Sequence, residues 1–181
     1  MLVVTEYNRE RAVEYALRWA FARNPLFENY AGIGGDCTNF VSQSIYAGSC
    51  VMNYTETFGW YYISPVNRAP AWTGVVYLYN FLTSNEGVGP FAEVTGADQL
   101  EIGDVVQLTN EEGAFYHTLL VTGSDGTGYL VSAHSDDARN RPLSTYRYAS
   151  ARFLHILGVR MQIPDRYRPD CFMDFISGRR L

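Results

Sequence analysis

Apolar residues recur at three- and four-residue spacing in Ala12, Val13, Ala16, Leu17, Ala20 and Phe21, with Arg9, Glu14 and Arg18 elsewhere. This pattern predicts an amphipathic helix over 5–23. Thr5 or Asn8 can cap its start, and Asn24-Pro25 ends it, because the residue before proline avoids helical geometry. After a loop loosened by Gly32, Gly34 and Gly35, a second helix is predicted from Asp36 or Cys37 to Ala47. Asp36 suits its N-cap, Phe40, Val41, Ser44 and Ile45 form a narrow stripe, and Gly48 is placed to terminate it. Residues 49–71 read as irregular and aromatic, and a third helix follows over 73–82.

The period then changes. Segments 104–108, 116–122, 129–134 and 153–159 are short and rich in β-branched and aromatic residues, as strands are. The turn residues Ser124 to Gly128 make a hairpin of the middle two. Helices first and antiparallel strands afterwards predict an α+β fold with N-terminal helices packed on an antiparallel sheet. No internal repeat interrupts it. The whole chain, 1–181, reads as a single domain, with 161–181 a packed or frayed C-terminal extension.

Composition narrows the function. The 181 residues are 47% hydrophobic and 18% charged, which excludes a disordered or fibrous chain. All 14 basic residues are Arg and the net charge is −5, so there is no electrostatic footprint for nucleic acid. No apolar run approaches the roughly 18 residues of a transmembrane helix, so membrane insertion is not expected. The N-terminus reaches Glu6 too soon for a signal peptide, which reads as a cytoplasmic chain or a fragment of an exported one. Cys37, Cys50 and Cys171 fit neither a disulfide framework nor a paired zinc motif, leaving a lone functional thiol.

That thiol is Cys37, placed where a glycine-rich loop becomes a helix. The first N–H groups of a helix have no intrahelical partner, and they favour a thiolate and an oxyanion alike. Asp36 would oppose the thiolate unless it bonds helix N–H groups and points away. Two of the three histidines, His117 and His134, flank the hairpin turn nearly symmetrically, so the pattern places them almost opposite each other. Nucleophile Cys37, base His117 and orienting His134 form one constellation, with Asp136 the other candidate for the orienting role. His155, centred in an apolar strand, reads as structural.

Several segments resemble a known family. Gly-Gly-Asp-Cys-Thr-Asn-Phe-Val-Ser-Gln at 34–43 resembles the signature of the bacterial putative amidase domain family, a cysteine-peptidase-like group related to NlpC/P60 and CHAP cell-wall hydrolases. Tyr7-Asn8-Arg9 is similar to its opening helix, Gly59-Trp60-Tyr61 and Ala71-Trp72-Thr73 to its aromatic middle, and Leu100-x-x-Gly-Asp-Val105 to its strand entry. His117-Thr118, Val131 to Asp136 and Arg141 to Ser144 resemble its closing half. The resemblance implies a papain-like, NlpC/P60-type fold, with Cys37 as nucleophile, His117 as base and His134 in the third polar position. Asp36 and Asn39 then play supporting parts.

The expected activity is a cysteine-dependent amidase or endopeptidase acting on a peptide or peptidoglycan-fragment substrate, with no metal or organic cofactor. Trp60, Tyr61 and Trp72 either line the substrate cleft or form core over the second helix. Two other readings keep the same residues: a wall- or peptide-binding module without turnover, and a zinc site made by Cys37, His117 and His134. Oligomeric state is not legible.

Overall fold

The first helix begins only where a side chain can satisfy its N–H groups. The structure, a computed structural model, describes residues 1–163 and 171–179. Asn8 caps α1 (Arg9–Trp19) by accepting the Arg11 N–H at 3.0 Å. Upstream, where a helix was expected from Thr5, β-branched Val3 and Val4 instead form an edge strand, β1 (Leu2–Thr5). Next comes α2 (Cys37–Ser49), ending at Cys50 in the left-handed conformation (φ 52°) rather than at Gly48. Gly48 serves packing: a Cβ there would lie 2.5 Å from the Tyr7 ring and 2.7 Å from the Asn8 carbonyl.

Every residue of α2 is buried, so the narrow stripe of the sequence understates its role. Its polar residues are bonded inside. Ser42 accepts the Trp60 indole N–H at 3.0 Å, Gln43 accepts the Tyr15 hydroxyl at 2.6 Å, and the Ser44 hydroxyl donates to the Phe40 carbonyl at 2.9 Å. A small ribbon, β2 (Tyr62–Ser64) and β3 (Asn67–Arg68), precedes the third helical region. That region is split at Gly74 into α3 (Pro70–Thr73) and α4 (Val75–Ser84).

The main sheet is antiparallel. It contains β4 (Gly89–Thr95), β5 (Val105–Thr109), β6 (Phe115–Ser124), β7 (Tyr129–Ala133), β8 (Ala138–Pro142) and β9 (Ala151–Gln162), together with β1. The order is β1-β9-β5-β6-β7-β8, with β4 on the other side of β9. The expected β5, β6, β7 and β9 are present; β1, β4 and β8 were not anticipated. The α+β class is therefore as expected: helices lie against one sheet face, where Leu120, Val105 and Leu154 meet Ala12, Ala16, Phe40 and Ile45. The other face carries a second cluster of Leu108, Leu119, Val121, Val131, Ala133 and Leu143. Large side chains such as these contribute about 1.5–3 kcal/mol each when fully buried.

The C-terminal region corrects two expectations. β9 continues to Gln162, past the expected start of the extension, and α5 (Phe172–Ile176) is packed. Phe175 stacks on Tyr15 with ring centroids 4.6 Å apart, and the Trp19 indole donates to the Ile176 carbonyl at 3.0 Å. Residues 164–170 and 180–181, the remainder of that expectation, lie outside the described residues. Cys50 and Cys171 form a disulfide, contrary to the sequence reading. Their separation of 121 residues has no short-range signature; only folding, which sets α5 beside the end of α2, brings the Cα atoms to 5.9 Å.

Candidate active site

Cys37 is the first residue of α2 and the free cysteine among the described residues. Two tethers fix its position. Thr38 Oγ1 and Thr118 Oγ1 share a hydrogen bond of 2.9 Å, fastening the helix start to β6 beside His117. Gln107 Nε2 donates to the same Thr118 hydroxyl at 3.2 Å and to the Val75 carbonyl at 2.8 Å, extending the link into β5 and α4. On the other side, Ser135 Oγ accepts the Asp36 N–H at 2.9 Å. Ser135 and Asp136 (φ 60° and 71°) make the tight turn between β7 and β8, the positive φ values a primed hairpin turn requires.

Cys37 and His117 line one cavity of about 570 Å³, together with Gly32, Gly34, Gly35, Tyr116, Asp136, Arg141 and Tyr146. Burial pushes the thiol up, partly offset by hydrogen bonds including those from the Thr118 and Thr38 N–H groups. His117 is also buried, and that pushes its ring down to about 4, with Asp136 favouring the charged form and Arg141 opposing it. The ring lies parallel to Tyr116, centroids 5.8 Å apart, and 5.9 Å from Tyr146. The Cys37 sulfur meets Thr38 Oγ1 at 3.8 Å, and no direct thiol–imidazole hydrogen bond is present among the described residues. Unliganded sites often tighten only around substrate.

His134 is elsewhere. Pairing of Leu120 with Ser132 and Val121 with Val131 puts His134 level with Thr118, one residue out of step with His117. Neighbouring residues of a strand point to opposite faces, so the two rings diverge. His134 Nδ1 lies 2.6 Å from Asp36 Oδ2, its Nε2 lies 2.9 Å from the Trp19 carbonyl, and its ring packs 4.2 Å from that of Phe40. It therefore does not reach His117; Asp136 is the acidic group facing that ring. Nor do Cys37, His117 and His134 converge as zinc ligands: no metal-binding group of His, Cys, Asp and Glu occurs among the described residues.

Asp36 departs from its expected role too. It makes no side-chain bond to the helix N–H groups. It accepts instead from the Tyr30 N–H at 3.0 Å, Asn39 Nδ2 at 2.8 Å and His134, with Arg23 Nε at 3.2 Å. Burial alone would raise its carboxyl, but these hydrogen bonds outweigh it and hold the group below the usual carboxylate range. Asn39 carries the network on, donating also to the Glu28 carbonyl at 3.0 Å and accepting the Trp72 indole N–H at 2.9 Å.

The aromatic segment is core rather than cleft. Trp60 and Trp72 are both fully buried, centroids 4.9 Å apart, and Tyr61 packs beside them against Tyr54. The aromatics of the cavity are Tyr116 and Tyr146, which sequence reasoning passed over along with Arg141 and Arg147. Their signal lay in the 116–122 strand and the Arg141 to Ser144 segment. His155 is structural as expected: its Nδ1 bonds the buried Asp104 at 2.8 Å, and Arg9 bonds the same carboxylate at 2.7 Å.

A match to the family described as "Putative amidase domain" spans residues 6–157. The chain belongs to that family. It is also similar to the "Uncharacterized protein YhbB" of Bacillus subtilis (strain 168), 31% identical over 140 residues, which cover 75% of this chain and 44% of that protein. The chain thus spans less than half the length of this curated relative. No solved structure matches. The match contains Cys37, His117, His134 and Asp136, and ends before α5.

Proposed function

We propose that the protein is a cysteine-dependent amidase or endopeptidase, of papain-like type related to NlpC/P60 and CHAP hydrolases, acting on an amide bond in peptidoglycan stem peptides. The observation that carries this reading is the shared cavity, with Cys37 at the start of a buried helix and His117 on the adjoining strand. At neutral pH the buried His117 ring is unprotonated and able to take the thiol proton. The sulfur then attacks the carbonyl carbon, and N–H groups at the start of α2 hold the oxyanion. As the C–N bond breaks, His117 returns the proton to the departing amine and a thioester remains. Water, deprotonated by His117, attacks the thioester; the acid leaves and the thiol is restored.

Amidase family membership supports the reaction class. The Cys50–Cys171 disulfide supports action in an oxidising compartment, where a wall substrate is met. The test is chromatography of purified wall fragments incubated with the protein and with Cys37→Ala. The expected result is a new amine terminus that the variant does not produce; equal turnover by the variant would end the mechanism. Binding with no turnover by the native protein would favour a wall-binding module.

A further inference from the structure

The cavity wall is uneven in charge. A chain of net charge −5 places two guanidinium groups, Arg141 and Arg147, against a single carboxylate, Asp136. Arg141 is held from one side: its Nε donates to Thr145 Oγ1 at 2.8 Å and its Nη2 to the Thr145 carbonyl at 3.0 Å. The guanidinium also lies 4.0 Å over the Tyr146 ring. A planar cation fixed in this way loses little freedom on binding a ligand. Tyr146 shares that wall, its hydroxyl buried and interacting with the Arg141 side chain. Facing these groups, the loop at Gly32 and Gly34 presents open space where side chains would stand.

We propose that Arg141, supported by Arg147, forms a carboxylate subsite beside Cys37, so that the substrate carries a free carboxylate close to the scissile amide. This rests on Cys37 being the nucleophile of the cleft. The field of Arg141 opposes proton uptake by His117, a burden on a general base. A bound carboxylate offsets that field, while burial, the larger cause of the lowered His117 value, stays in place.

The test uses two alkylating reagents of similar size, iodoacetate and iodoacetamide, on the native protein, which leaves Cys37 as the free thiol. The ratio of their rates reads carboxylate preference, and it is independent of how much thiolate the site holds. Arg141→Gln lowers the iodoacetate-to-iodoacetamide ratio about three- to fivefold, the scale of a half-exposed ion pair. Arg139→Gln, outside the cavity, leaves it unchanged. On native protein alone, succinate slows iodoacetamide labelling at a concentration where succinamide does not. An unaltered ratio in Arg141→Gln, or equal protection by the two additives, overturns the subsite. If neither reagent modifies native Cys37, the nucleophile reading itself fails, and the subsite fails with it.

Discussion

Asp36 Oδ2 and His134 Nδ1 lie 2.6 Å apart, both fully enclosed, directly behind the residue that begins α2. The Asp36 carboxylate and the Trp19 carbonyl are both acceptors, one facing each nitrogen of the His134 ring. The pair joins the end of α1, the loop before α2 and the β7–β8 turn. This histidine holds the scaffold that positions Cys37.

Removing it leaves a buried carboxylate with fewer donors, although Tyr30, Asn39 and Arg23 remain. His134→Ala is expected to lower stability by about 2–4 kcal/mol. The check is urea denaturation beside Cys37 alkylation at a temperature where the variant is folded. An orienting partner of His117 would show the reverse: native stability and a displaced acid limb in the pH–rate profile.

His117 gives stability a pH dependence of definite sign. Its ring falls from the ordinary 6.5 to about 4 in the folded protein, chiefly through burial. Between those values the unfolded chain binds a proton that the native state refuses. Stability is therefore full above about pH 6.5 and declines on acidification to about pH 4, by about 3 kcal/mol in all. Denaturation midpoints at pH 7, 5 and 4 check this; His117→Gln should remove that part of the slope. The acid limb of kcat/KM for the free enzyme should likewise lie near pH 4 rather than 6.5.

Cys50–Cys171 closes a long loop and stitches α5 to α2 away from the cavity. Removing both sulfurs with paired serine substitutions is expected to cost about 2–5 kcal/mol. Hydrolysis by the folded fraction should be unchanged, since neither cysteine lines the cleft. Thermal melts with and without reductant, run beside the activity assay, measure both halves of the statement.

These contrasts show what the chain makes legible. Helix α2 and the placement of Cys37 follow from local signals: a glycine loop, an apolar stripe and the change of period beyond it. The β6–β7 hairpin was legible too, but its register was not. A single-residue offset is invisible in an apolar run and sends His117 and His134 to opposite faces. The Cys50–Cys171 bond and the packing of α5 depend on contacts more than 100 residues apart, which periodicity does not encode. Trp60 and Trp72 offered the same composition to cleft and core; the indole bonds to Ser42 and Asn39 decide for the core.

Thr118 tests whether the two halves of the site work as one. Its hydroxyl is buried, and it is the point where Thr38 of α2 and Gln107 of β5 meet β6, one residue from His117. Thr118→Val keeps the shape of the side chain but removes the shared hydroxyl, leaving Gln107 Nε2 its bond to the Val75 carbonyl and Thr38 Oγ1 only its long contact with the Cys37 sulfur. The expected stability loss is about 1–3 kcal/mol, the cost of unsatisfied buried polar groups. If the link also sets the approach of Cys37 to His117, kcat should fall about tenfold or more with KM little changed, because positioning error is felt chiefly in the reacting geometry. Steady-state kinetics on a wall fragment, with denaturation on the same preparation, separates the two effects. A variant that loses stability but keeps its kcat would show that α2 holds Cys37 in place without this bond.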